Sequence, residues 1–221
     1  TEHALSKPAG VTRIAILGDS YTDALQVPED SAFPAILERT LNTTLPGRYE
    51  VLNFGVGGFG TGQELLVLRD YAFTYAPDAV ILAFTIVNDV SDNSRALKGV
   101  DYVPYFRLVD QRLVLDTSFR ISRAFLRRAR IVTLLEQHSR VAQLVRAAML
   151  SVRQPDEDRR RARLGMRPLE FGVENYRNPP RDSLWAEAWN VTERLISAMN
   201  LECRSRHIPF YLVSLSSGAQ V

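Results

Sequence analysis

Cysteine is almost absent from this 221-residue chain. Cys203 stands alone, so neither an intramolecular disulfide nor a multi-cysteine zinc site holds the fold together. Lysine is nearly as scarce: Lys7 and Lys98 are the only two, and almost all of the positive charge is arginine. Histidine is limited to His3, His138 and His207, which leaves few side chains able to take a proton near neutral pH. No run of eighteen or more apolar residues occurs and the amino terminus has no signal-peptide pattern, so no transmembrane helix is predicted. The chain begins with Thr1 rather than methionine. That leads us to expect an export signal or membrane anchor upstream of Thr1, and an extracytoplasmic location.

What is present is ordinary globular material. With 46% apolar and 24% charged residues, the chain can bury a real core within one domain spanning residues 1–221. A net charge of +2 is too small to argue for a nucleic-acid partner. Its distribution is uneven: from Arg120 through Arg167 there are thirteen arginines against Glu136, Asp156, Glu157 and Asp158. Those arginines read as a solvated helix face, and membrane-surface binding is the lesser reading.

Taken in order, residues 11–17 form a short apolar run that suits a buried strand, followed by the turn Gly18 to Asp23. Phe33, Ile36, Leu37 and Leu41 recur at helical spacing until Pro46-Gly47 breaks the pattern, and 49–54 reads as a second strand. A helix is predicted over 63–76, ending near Pro77. Residues 78–85 then form the most apolar strand, suited to the centre of a parallel sheet. Residues 91–118 read as a hairpin or extended loop. Two amphipathic helices follow over 121–135 and 141–152, then a charge run over 156–163 and an irregular stretch over 165–180. A further helix over 185–201 and a strand over 209–215 complete the pattern. Alternating strands and helices predict a doubly wound parallel sheet, interrupted by a mainly helical insertion over 92–180.

Three places along this pattern attract chemistry. Ser20 follows the first strand, and in open α/β sheets ligands bind beyond the carboxyl ends of strands, so Ser20 is the first candidate nucleophile. The plainer reading is that Asp19 or Ser20 caps the next helix. The stretch from Asn53 to Gly62 holds five glycines within eight positions, which suits close backbone approach or positive φ. A dinucleotide loop competes for that pattern, but neither a following Gly-Lys-Ser/Thr nor a well-placed acidic residue accompanies it. An oxyanion hole is the alternative use. Asn88 and Asp89 stand at the end of the third strand. Ser20, Gly58 and Asn88 therefore follow three strands and should emerge on one sheet edge, where two backbone N–H groups and an amide could hold a negative oxygen. One such donor is worth about 3 to 4 kcal/mol.

Gly18-Asp19-Ser20-Tyr21, the Asn53 to Gly58 loop and Asn88-Asp89, in that order, resemble three of the four blocks of the SGNH/GDSL hydrolase family. The resemblance covers residues 11–91 well and 183–216 more loosely. It implies a flavodoxin-like, three-layer α/β/α sheet and ester hydrolysis without cofactor or metal. Ser20 would be nucleophile and first oxyanion donor, Gly58 the second donor and Asn88 the third. Asp19 and Asp89 are read as fixing their turns by hydrogen bonds.

Two departures stand out. Val87 occupies a position where the family commonly has glycine, and the fourth block, an aspartate followed three residues later by histidine, is absent. None of the three histidines has an aspartate at that spacing, and His207, before the last strand, is expected at the opposite edge of the sheet from Ser20. The expectation is that the missing block and the last strand lie beyond Val221, and that this chain alone has negligible esterase activity. A small-molecule or carbohydrate ester is the expected substrate. O-acetyl transfer to or from a polysaccharide is the rival within enzymes, and a binding protein without catalytic histidine is the rival outside them.

Overall fold

The strand that the rest of the sheet is built on starts from one buried cation. Arg13 is fully buried near the start of β1 (Val11–Gly18), where its guanidinium donates to Glu50 Oε2 at 2.8 Å and to the carbonyls of Ala4, Leu5 and Tyr75. A guanidinium removed from water is tolerable only when its donors are taken in this way. Asp78 adds to the same knot by accepting the Arg13 backbone N–H. The computed structural model describes residues 3–86, 88–123, 125–126, 180 and 182–215.

On either side of β1 lie β2 (Arg48–Gly55) and β3 (Ala79–Thr85), both parallel to it, and β3 pairs in parallel with the strand Phe210–Leu215. The order is therefore β2, β1, β3 and then that last strand, which is the doubly wound arrangement expected from the sequence. α2 (Phe33–Thr44) covers one face, with Phe33, Leu37 and Leu41 packed against Ile16, Val51 and Ala83. α3 (Thr61–Asp70) and the long helix Ser183–Ser205 cover the other, where Leu65, Leu68, Leu195 and Met199 meet Leu17, Val80 and Leu82. Both faces of β1 and β3 are thus buried, which is why these strands read as continuous apolar runs.

The two edges of this sheet differ. α2 reaches over the outer edge of β2: Asn42 exchanges two hydrogen bonds with the Tyr49 backbone, and Glu38 accepts the Val51 N–H at 2.7 Å. Side chains thereby occupy groups that another strand would use. The opposite edge strand, Phe210–Leu215, leaves Tyr211, Leu212 and Val213 about half exposed.

Two expectations are corrected in detail. The helix predicted over 63–76 stops at Asp70 and gives way to a 3-10 turn, Ala72–Tyr75, because Ala76 precedes Pro77 and cannot stay helical; it adopts φ 50° instead. The stretch 91–118 is more structured than a hairpin alone. Two one-turn helices, α4 (Asp89–Asp92) and α5 (Arg95–Lys98), precede the hairpin of β4 (Tyr105–Val109) and β5 (Arg112–Asp116). Asp110 and Gln111 both have positive φ, the backbone that a two-residue hairpin turn of type I′ requires. In chain order the long helix is then α6 and the last strand β6. Val87, His138 and nearly all of the predicted insertion helices, charge run and irregular stretch lie outside the described residues. Among the described residues, no helix is long and apolar enough to cross a membrane.

Candidate functional site

Gly18 and Gly55 end β1 and β2, and the one-turn helix α1 (Ser20–Asp23) passes directly over both ends. A Cβ on Gly18 would lie 2.1 Å from Thr22 Oγ1, and one on Gly55 would lie 2.4 Å from the Asp23 nitrogen. Only glycine permits that approach. Asn53 locks the crossing, donating from Nδ2 to the Thr22 carbonyl at 2.8 Å while Oδ1 accepts the Gly55 N–H. Ser20 is thereby fixed at the carboxyl end of the sheet, partly exposed to solvent.

Asp19 is fully buried and joins three segments. Its Oδ1 accepts the Tyr21 N–H at 2.9 Å and the Thr85 hydroxyl at 3.1 Å, and its Oδ2 accepts the Asn88 Nδ2 amide at 2.7 Å. So the cap reading holds for Asp19, and no described residue takes the Ser20 hydroxyl. Asn88 is the residue just before α4, and its Oδ1 is buried with no protein donor among the described residues. An amide carries two N–H bonds, and Asp19 takes one of them.

Gly58 stands in the turn Val56 to Phe59, which is pinned from several sides. The Val56 N–H donates to the Gly18 carbonyl, the Gly57 N–H to Asp23 Oδ2, and the Lys98 ammonium to the Gly58 carbonyl. Gly58 has φ +81°, and the position of a Cβ on neighbouring Gly57 is 3.8 Å from the Ser20 Cβ. Ser20, the Gly58 turn and Asn88 are therefore gathered at one end of the sheet. No acceptor among the described residues takes the backbone N–H of Ser20 or of Gly58.

Beneath these residues lies a group of buried acids to which the sequence reading gave little or no role. Glu64 on α3 is fully enclosed, and neither of its oxygens has a protein donor among the described residues. Burial, then the charges of Asp19 and Asp92, push its pKa up to about 8 against the opposing pull of Lys98. Asp89 is also fully buried; Oδ2 accepts the Thr85 N–H, as a turn-fixing residue should, but Oδ1 has no donor among the described residues. Its pKa is raised well above the usual range, first by burial and then by Glu64 and Asp19. Asp92 is paired with Lys98 at 3.2 Å. A signal for Glu64 was present in the sequence: it sits next to Leu65 on the turn that carries the core face of α3, where an ionised side chain is rarely left.

No histidine is placed near Ser20 among the described residues. His3 lies near Glu50, with Nδ1 3.9 Å from Oε2, and His207 is exposed in the turn before β6. Both are at the amino ends of the strands, about 20 Å from the end that holds Ser20. Beside α1 and the outer edge of β2 runs a groove of about 780 Å³ whose lining includes Asp23, Leu25, Val27, Asn53 and Phe54. Among the described residues, no three His, Cys, Asp or Glu side chains are grouped so as to hold a metal.

No family model and no curated protein matches the chain. Solved structures similar to it include the SGNH-hydrolase family esterase AlinE4, at 20% identity and TM-score 0.33, over 42% of this chain and 47% of that one. A serine-to-alanine mutant of that esterase gives 20% identity and TM-score 0.34, over 39% and 46%. An aspartate-to-alanine mutant gives 14% and 0.34, over 92% and 100%. The chain spans about half the length of the first two structures. This is a distant likeness to SGNH-type esterases; the α/β class itself rests on the strand order and the two helical layers.

Proposed function

We propose that the chain carries the acyl-accepting half of a serine ester hydrolase. The observation that carries this reading is that Ser20, the Gly58 turn and Asn88 are gathered at one end of the sheet with three N–H groups that no described residue accepts: those of Ser20 and Gly58 and the second N–H of the Asn88 amide. In the reaction, Ser20 Oγ bonds to the ester carbonyl carbon and its proton passes to a base. The carbonyl oxygen becomes negative and is met by the three donors, which stabilise charge that develops only in the transition state. The C–O bond to the alcohol then breaks, the alcohol leaves with the proton, and water repeats the sequence to release the acid. Exposed Tyr21 and Leu25, beside Ser20 in the chain, give an apolar surface for part of the ester.

A serine hydroxyl needs a base, and no histidine stands near Ser20 among the described residues, while the nearby Asp23 carboxylate is taken by the Gly57 N–H. We propose that the base lies on a segment that packs against the outer edge of β6, where Tyr211, Leu212 and Val213 are about half exposed among the described residues. The test uses the chain as it is, with a short-chain nitrophenyl ester and imidazole as an external base. The expected result is one equivalent of nitrophenol per chain released above the buffer background, absent in Ser20→Ala. Release that Ser20→Ala leaves unchanged would overturn the reading. It would favour a binding role for the same fold.

A further inference from the structure

Four carboxyl groups meet under the nucleophile turn, and their donors are unequally shared. Asp19 has three, from Tyr21, Thr85 and Asn88, and Asp92 has the Lys98 ammonium. Among the described residues, Asp89 has one N–H on one oxygen, and Glu64 has a donor on neither. All four residues are buried. Leaving every one of them ionised would confine like charges at short range with a single ammonium among them, an arrangement that proteins relieve by protonation. The proton belongs where donors are missing, and that is on Glu64 and Asp89.

We propose that Glu64 and Asp89 are held as neutral acids, and that this neutral pair acts as a positioning device for Asn88, leaving the Asp19 carboxyl free to hold its amide. Asp89 reaches Asp19 through Thr85, whose N–H it accepts and whose hydroxyl Asp19 accepts. Asp19 in turn orients Asn88. When a base in solution takes the Glu64 proton, a new negative charge appears beside Asp19 and under the place where an oxyanion would form. Ester cleavage is then disfavoured as pH rises, with no change in Ser20 itself.

The groups that face Glu64 are Asp19 from the nucleophile turn, Asp89 and Asp92 from α4, and Lys98 from α5. From the hairpin, Tyr105 feels Asp92 and has the Arg95 guanidinium over its ring. From α6, Glu202 meets α3 but is bonded to Arg69.

This inference rests on the hydrolase reading for its consequence, but its test does not need activity. Carbon-13 side-chain resonances of Glu64 and the nitrogen-15 resonances of the Asn88 side-chain amide are followed against pH in the 221-residue chain. Glu64 should show the signal of a protonated acid at pH 6 and titrate near pH 8. The Asn88 amide should move in the same step, and Glu64→Gln should abolish that step. Should Glu64→Gln fail to fold, Asp92→Asn serves instead: removing one neighbouring negative charge should lower the midpoint by roughly one pH unit. A Glu64 already ionised at pH 6, or an Asn88 amide that stays still while Glu64 titrates, would overturn the inference. Failure of the hydrolase reading shows differently, as a normal titration together with no acylation of Ser20.

Discussion

Asp19 Oδ2 and Asn88 Nδ2 meet at 2.7 Å, across 69 residues of chain. That bond joins the turn after β1 to the end of β3, so the residue before the candidate nucleophile also sets the orientation of a candidate oxyanion donor. Removing either partner should therefore have two effects, one on reactivity and one on stability.

Asn88→Ala removes one donor and leaves a buried Asp19 oxygen short of its hydrogen bond. We expect Ser20 acylation in the presence of imidazole to slow about a hundredfold to a thousandfold. The orphaned acceptor should also cost about 1 to 3 kcal/mol of stability. Acylation time courses by intact mass, beside urea unfolding of the same variant, measure the two effects separately.

The Glu64 proton predicts how stability depends on pH. The folded chain holds that proton to about pH 8, whereas a free glutamate releases it near 4.5. Below pH 4.5 both states hold it. Between 4.5 and 8 only the unfolded state releases it, so folding loses stability as pH rises, at about 1.4 kcal/mol per pH unit, and the slope from this group ends above 8. Asp89 adds a slope of the same sign. Urea unfolding at pH 5, 6.5 and 8 should show the decline, and Glu64→Gln should flatten it.

Arg13→Met leaves buried Glu50 with the longer 3.7 Å contact to exposed Arg48 and strands several backbone carbonyls at the amino end of the sheet. Breaking a buried ion pair from one side costs about 3 to 5 kcal/mol. Thermal unfolding should show that loss. Because Arg13 and Asn88 sit at opposite ends of the strands, the Asn88 amide resonances of the folded variant should stay in place.

Gly55→Ala places a methyl group 2.4 Å from the Asp23 nitrogen. Backbone cannot yield as a side-chain tip would, so α1 must shift. A cost of about 1 to 3 kcal/mol is expected from unfolding curves, with slower Ser20 acylation because that same helix begins at Ser20.

The sheet was legible in the sequence because its strands are buried on both faces and end in glycine-rich turns. Val11–Gly18 and Ala79–Thr85 match the apolar runs to within a residue. The boundary of α3 was not, since the apolar pattern runs on past Asp70 while Pro77 acts back through Ala76 on the backbone. Of the site, Ser20, Gly58 and Asn88 could be placed from their positions after strands. The nearness of Glu64, Asp92 and Lys98 could not, because it depends on how α3, α4 and α5 pack, and no spacing in the chain encodes that. His207 shows the opposite case: strand direction alone placed it at the amino edge of the sheet, where the structure has it.

The central claim is that Ser20 is the nucleophile of this chain. An alkyl phosphonate ester offers the most direct measurement, incubated with the chain and imidazole and followed by peptide mapping of the covalent adduct. If Ser20 is the nucleophile, a single phosphonyl group forms on it, more slowly in Asn88→Ala and undetectably without added base. An adduct on another residue, or none at all under conditions where the protein is folded, would contradict it.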